Sequence, residues 1–220
     1  VSQGYALTLS QAGGLALGGN ALTISGGGSL VSGGVTLNNA DSKLLLNSIT
    51  LDSASTTADS LGLDVDADST VTALSVGHIT PISIATGKTL SGAITVTEGS
   101  LKLNETGTLA STVTMSGGTL DADETLTVSG ALTQTADIAI DVATGKTLTY
   151  SGAAVNLGAK TLTLSGGGTL SNTNALVLNN ADSLLSLDDS STVGLASVTV
   201  GSNAGKGLAV NESSTISSLK

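Results

Sequence analysis

The chain has 220 residues, a formal charge of −10, and Lys as its only strongly basic residue type; Gly, Ser, Thr, Ala and Leu dominate it. Cys, Trp, Phe and Arg are absent, the aromatics are Tyr5 and Tyr150, and His78 and Pro81 are the single His and Pro. This excludes disulfides and thiolate metal sites, disfavours phosphate backbones and anionic lipid as partners, and, with 40% apolar residues, disfavours disorder. No uncharged apolar run is long enough to span a bilayer. No basic segment followed by an apolar stretch opens the chain, so no signal peptide is expected within it. Position 1 is Val, so the chain is expected to be cut from a longer protein.

In chain order, Val1–Ser10 already alternates apolar and polar residues, as a half-buried strand does. "ALTISGGGSL" at Ala21–Leu30 returns as "TLTLSGGGTL" at Thr161–Leu170, an offset of 140. "NNADS" at Asn38–Ser42 returns at Asn179–Ser183, and "ATGKTL" at Ala85–Leu90 returns at Ala143–Leu148. These offsets are near multiples of a period of about 20, the mark of a solenoid. A heptamer shows that period directly: an apolar residue, four turn formers, Thr, an apolar residue. It starts at Val65, Ile84, Leu103, Leu120, Val142, Leu187 and Val210. "LNNADSL" from Leu178 has Ser for Thr and reads as a second corner of the same rung. Asp, Asn, Gly and Ser form tight turns, and Thr is a natural outward residue of a strand.

The expectation is an all-β, single-chain parallel β-helix (β-solenoid) over residues 1–220, with rungs of about 20 residues and no internal domain boundary. Roughly 11 rungs at about 4.8 Å each give a rod of roughly 50 Å. Leu61, Leu63, Val65, Val71, Leu101, Leu103, Leu109, Leu126, Val128, Leu148, Leu162 and Leu164 should point inward. An immunoglobulin-like array would show aromatic core positions, and a calcium-binding nonapeptide roll would show repeated "GGxGxD"; neither pattern is present. Both ends read as internal rungs, so the segment is expected to continue into flanking rungs or to stack end to end with identical copies.

Several short motifs admit a chemical reading and a plainer one. Asp64, Asp66 and Asp68 form the D-x-D-x-D opening of a calcium loop, but Ser69 and Ser75 stand where that loop needs Gly and Glu. The plainer reading leaves Asp64 and Asp66 solvated beside inward Leu63 and Val65. Asp121, Asp123 and Glu124 read likewise as a solvated turn. His78 and Pro81 in "VGHITP" suggest an irregular rung. "SGGG" at Ser25–Gly28 and Ser165–Gly168, and "TGKT" at Thr86–Thr89 and Thr144–Thr147, read as turns, because no P-loop helix follows. T-x-T pairs occur at Thr95/Thr97, Thr112/Thr114, Thr125/Thr127, Thr147/Thr149 and Thr161/Thr163. Ranks of such pairs occur on ice-binding solenoids, but their uneven spacing should keep them out of one column.

"KTLTLSGGGTL" at Lys160–Leu170 and "TVTMSGGTLDADETLTVSGAL" at Thr112–Leu132 resemble the passenger repeats of bacterial autotransporters and giant secreted adhesins. The resemblance covers nearly the whole chain and rests on composition and period. It implies a right-handed β-helix, export to the bacterial cell surface, and a stalk or adhesive role. It carries over no catalytic residue. With no Arg and a single His, the chain lacks the cluster of acid, base and cation that a polysaccharide lyase needs, so no site residue, cofactor or enzyme activity is expected. The alternative is a binding module that grips a glycan, a host surface or ice through an outward Thr/Ser-rich face.

Overall fold

The computed structural model describes residues 1–10 and 14–220. Among them there is no helix, and 26 strands form two sheets, of ten and 16 strands. The ladders between strands are parallel from the first rungs to the last. The architecture is a parallel β-solenoid of about ten turns, as the sequence suggests. Pairing positions recur on average about every 21 residues, slightly more than the expected 20.

One rung shows how the sequence makes this shape. Ser100–Leu103 lies in the ten-stranded sheet, which is the first face. A turn over 104–107 leads to Thr108–Leu109 on the second face. The chain bends at Ala110 and Ser111 and continues as Thr112–Met115 on the third face. A turn over 116–118 returns it to the first face as Thr119–Ala122. The second and third faces belong to the 16-stranded sheet. Where one strand crosses between them, two ladders slip, between Gly92 and Ile94 and between Asn172 and Ala175, while the ladder from Thr50–Thr56 to Ser69–Val76 crosses in constant register. An extra residue in one strand of a ladder bends that strand.

All seven heptamers fall at the corner between the first and second faces. "LNNADSL" lies at the corner that leads back to the first face, between Thr169–Leu178 and Leu184–Leu187. Its repeat relation to "NNADS" at Asn38 is structural as well. The side-chain oxygens of Asn39 and Asn180 accept the N–H groups of Asp41 and Asp182, each at 3.0 Å. The buried hydroxyls of Ser42 and Ser183 donate to the carbonyls of Gly18 and Gly158 in the preceding rung. Offset 140 spans seven rungs, and offset 58 spans three.

The core is a column of mainly Leu, Val and Ile, contributed by alternate residues of the internal strands, with the terminal strands only partly buried against it. Of the twelve residues expected inside, eleven are buried, from Leu63 through Leu164. Leu61 is the exception, with 52% exposure. Gly62 adopts φ +78°, which breaks the alternation and turns Leu61 outward, while Ser60 takes the inner place. A Cβ at Gly62 would lie 1.8 Å from the carbonyl oxygen of Pro81 in the next rung, so no other residue fits there. The irregularity expected around His78 and Pro81 therefore centres one rung earlier. Pro81 itself lies in the regular strand Thr80–Ile84 and faces outward.

Rung length varies in the turns rather than in the strands. The turn after the third face has three residues at 97–99, 116–118 and 135–137, then grows to 157–160, 179–183 and 201–206. Leu101 pairs with Leu120, 19 residues on, whereas Ile138 pairs with Leu162, 24 residues on. Some polar groups drawn inside are paired locally, although the hydroxyl of Ser60 has no partner. Thr80 Oγ1 lies 3.0 Å from Thr56 Oγ1, which accepts the Gly77 N–H at 3.2 Å.

Candidate functional site

The Asp64/Asp66/Asp68 run is split by the corner it sits on. Asp64 stands on the outward side of Gly62–Val65 and pairs with Lys43 of the preceding rung at 2.5 Å. Asp66 is exposed in the turn. Asp68 accepts the Thr89 N–H of the following rung at 2.8 Å. The partners of Asp64 and Asp68 lie in different directions, and these two are rung-to-rung ties. Among the described residues no three His, Cys, Asp or Glu side chains are placed to hold a metal ion.

Asp121, Asp123 and Glu124 divide in the same way. Lys102 reaches up one rung to Asp121 at 3.0 Å and Asp123 at 3.1 Å. Glu124 turns away to Lys146 at 2.5 Å. Burial raises the Asp121 carboxyl above its ordinary range, more than the hydrogen bond from Lys102 lowers it. The hydrogen bonds to Asp121 and Asp123 raise Lys102 above its ordinary 10.5. Asp141 follows Asp121 directly in the ladder and accepts from the Ser165 hydroxyl at 2.7 Å. The result is an axial file of charges on the first face.

The remaining motifs are placed by the backbone. In both "TGKT" turns the Lys N–H closes onto the preceding Ala carbonyl, Lys88 to Ala85 and Lys146 to Ala143, each at 2.9 Å. Both "SGGG" runs occupy the corner between the first and second faces. His78 is exposed, with Nδ1 3.9 Å from Asp59 Oδ1. Tyr150 is the one aromatic residue of the core, and its phenol oxygen accepts the Leu132 N–H at 3.0 Å. Burial raises its phenol above the ordinary range. A small apolar cavity of about 20 Å³ lies beside it, lined by Leu132, Ile140, Val155 and Leu162 among others.

The five T-x-T pairs divide among three faces, as their spacing implies for the set as a whole. Thr95/Thr97 and Thr112/Thr114 belong to the third face, Thr125/Thr127 and Thr147/Thr149 to the second, and Thr161/Thr163 to the first. Two of the pairs do stack, against expectation: Thr127 pairs with Thr149, and Thr125 Oγ1 accepts the Thr147 N–H at 3.1 Å. Single Thr residues extend that file to Thr89–Thr108–Thr127–Thr149. On the third face an outward file runs Thr36–Ser55–Ser75–Thr95–Thr114–Thr133.

Charge is sorted between the two sheets. The strands of the ten-stranded sheet carry Lys43, Asp64, Lys102, Asp121 and Asp141. Among the described strands of the 16-stranded sheet, Asp52 is the only charged residue. The other charges sit in the turns and at the C-terminal Lys220. Comparisons with protein-family models, with curated proteins and with solved structures found no match.

Proposed function

We propose that this chain is a structural rod: a spacer or filament segment of a large secreted bacterial surface protein, similar to the passenger repeats of autotransporters and adhesins. Its place is extracellular, at the bacterial cell surface, and its work is mechanical rather than catalytic. Its partners are flanking rungs of the same parent chain or identical copies stacked end to end. The observation that carries this reading is the unbroken parallel pairing through ten rungs over one aliphatic column. Each backbone ladder ties one rung to the next, so length comes from repetition and stiffness from continuous pairing. The acidic side chains are engaged in rung-to-rung ties at several positions, which suits a rod more than a reaction centre.

The register supplies a direct test. Leu63, Ile82 and Leu103 occupy one inward position in successive rungs. Deleting residues 63–102 and joining Gly62 to Leu103 removes two rungs in register. A spacer should fold and shorten by roughly 10 Å in small-angle scattering. Loss of folding, or loss of a specific binding or catalytic activity with these rungs, would contradict the reading. The Thr89–Thr149 file favours a second reading, a binding face for a glycan, a host surface or ice. Inhibition of ice recrystallisation or retention on a glycan array, lost in Thr127→Lys, would support it.

A further inference from the structure

We propose that a second copy of this chain packs laterally against the third face, solenoid beside solenoid. This differs from end-to-end stacking and does not depend on where the chain begins or ends.

The argument starts from charge. A chain of net charge −10 repels its own copies over most of its surface. The turns flanking the sheets carry acids such as Asp66, Glu98, Glu105 and Asp137, and the first face carries the Lys102–Asp121–Asp141 file. The third face is different. Its outward file Thr36–Ser55–Ser75–Thr95–Thr114–Thr133 crosses six rungs without a charge. Beside it Ser53, Ala73, Ala93 and Thr112 form a second uncharged file at the bend. A groove of about 450 Å³ runs along these two files from Gly34 to Thr95.

The period selects the occupant. Outward groups recur every ~4.8 Å along the axis, the spacing of paired strands. A second copy has the same spacing by construction, so hydroxyl and methyl files of the two rods can interdigitate along their whole length. Sheets bearing files of identical small side chains pair in this way as dry zippers. A neutral sugar polymer would want aromatic platforms, and neither Tyr lies on this face: Tyr150 is buried and Tyr5 is in the N-terminal turn. The area is sufficient. Four residues such as Ala93–Val96 span roughly 13 Å, and nine rungs span roughly 43 Å. That is about 560 Å² per copy and about 1,100 Å² in total, just above the ~1,000 Å² that a specific interface needs. Beyond the acidic rims, Asp52, on the bend beside Ser53, is the one charge within the described strands of this sheet that opposes the contact.

The test is sedimentation equilibrium of the intact chain over a rising concentration series. The wild type should pass from monomer to dimer, and added salt should tighten the dimer by screening its acidic rims. Thr95→Lys/Thr114→Lys places like charges opposite each other and should weaken pairing roughly a hundredfold or more. Asp52→Asn should tighten it. Ser83→Lys, on the first face, should leave it unchanged, and circular dichroism should show that all variants fold. A wild type that stays monomeric at every concentration would overturn the proposal. So would a dimer indifferent to Thr95→Lys/Thr114→Lys, or a monomer that uses this face to bind ice or a glycan.

Discussion

The two sheets are made of the same material and meet the same core, yet they meet water differently. Leu103 on the first face and Leu109 on the second are both buried against the aliphatic column. One residue from Leu103, Lys102 joins Asp121 and Asp123 in a file of charges. One residue from Leu109, Thr108 stacks on Thr127 with no charge near it in its sheet. Alternation decides what lies inside and is indifferent to which polar residue lies outside. The outward position is where a solenoid can differ between faces at little cost to its fold.

The largest expected effect should ignore this difference. Leu103→Asp and Leu109→Asp each bury an unpaired charge in the common core. Each should unfold or loosen several rungs, seen as a lower urea midpoint and lost near-uniform amide protection. Harm confined to one sheet would break the idea of a shared core. A smaller effect is expected at the bend. A Cβ at Gly130 would lie 1.8 Å from the Ser111 carbonyl oxygen of the rung before. Gly130→Val should cost about 1–3 kcal/mol or more, while Ala131→Val, outward beside it, should be close to neutral. Equal effects in denaturant titrations would show that the rungs are not this tightly stacked at the bend.

Next comes the charged file. Lys102 is raised above 10.5 in the folded chain, so its contribution is complete below the unfolded value and is lost as pH climbs through the folded one. Asp121 runs in the acidic range: its raised carboxyl favours the fold at low pH, and that advantage falls away as pH rises through its folded value. Lys102→Met should shrink the alkaline step of a stability-against-pH curve, to which the raised Tyr150 phenol also contributes, and Asp121→Asn should remove the acidic one. A step unchanged by its own substitution would contradict the pairing. The smallest effect belongs to the uncharged sheet. Thr127→Val should move stability by no more than about 0.5 kcal/mol; a larger loss would mean that the hydroxyl file helps hold the rungs together.

Much of this was legible before the structure. The heptamers locate the corner between the first and second faces in rung after rung, because an apolar–turn–Thr–apolar string has few other ways to fold beside alternating strands. The inward residues follow from period two, except where Gly62 reverses the alternation and turns out Leu61. A glycine at φ +78° and a glycine in a plain turn look alike in a sequence. Register was less legible. Val65 pairs with Ile84, but Leu103 pairs with Ile82, so equivalent heptamers are not always stacked. The heptamer corner itself absorbs the two-residue slip, because beyond it Leu90 pairs with Leu109, back at the heptamer spacing. The Thr89–Thr149 file and the sorting of charge between sheets depend on that register, and T-x-T spacing alone does not reveal either one.

The central claim is that the chain is a stack of rungs, each held by its neighbours. Pulling one molecule by its two ends tests this most directly. A stack should peel in repeated steps of one or a few rungs, each freed rung of about 21 residues adding at most roughly 70 Å of extended chain. A single rupture that releases the whole length at once, with no repeated step, would contradict the account.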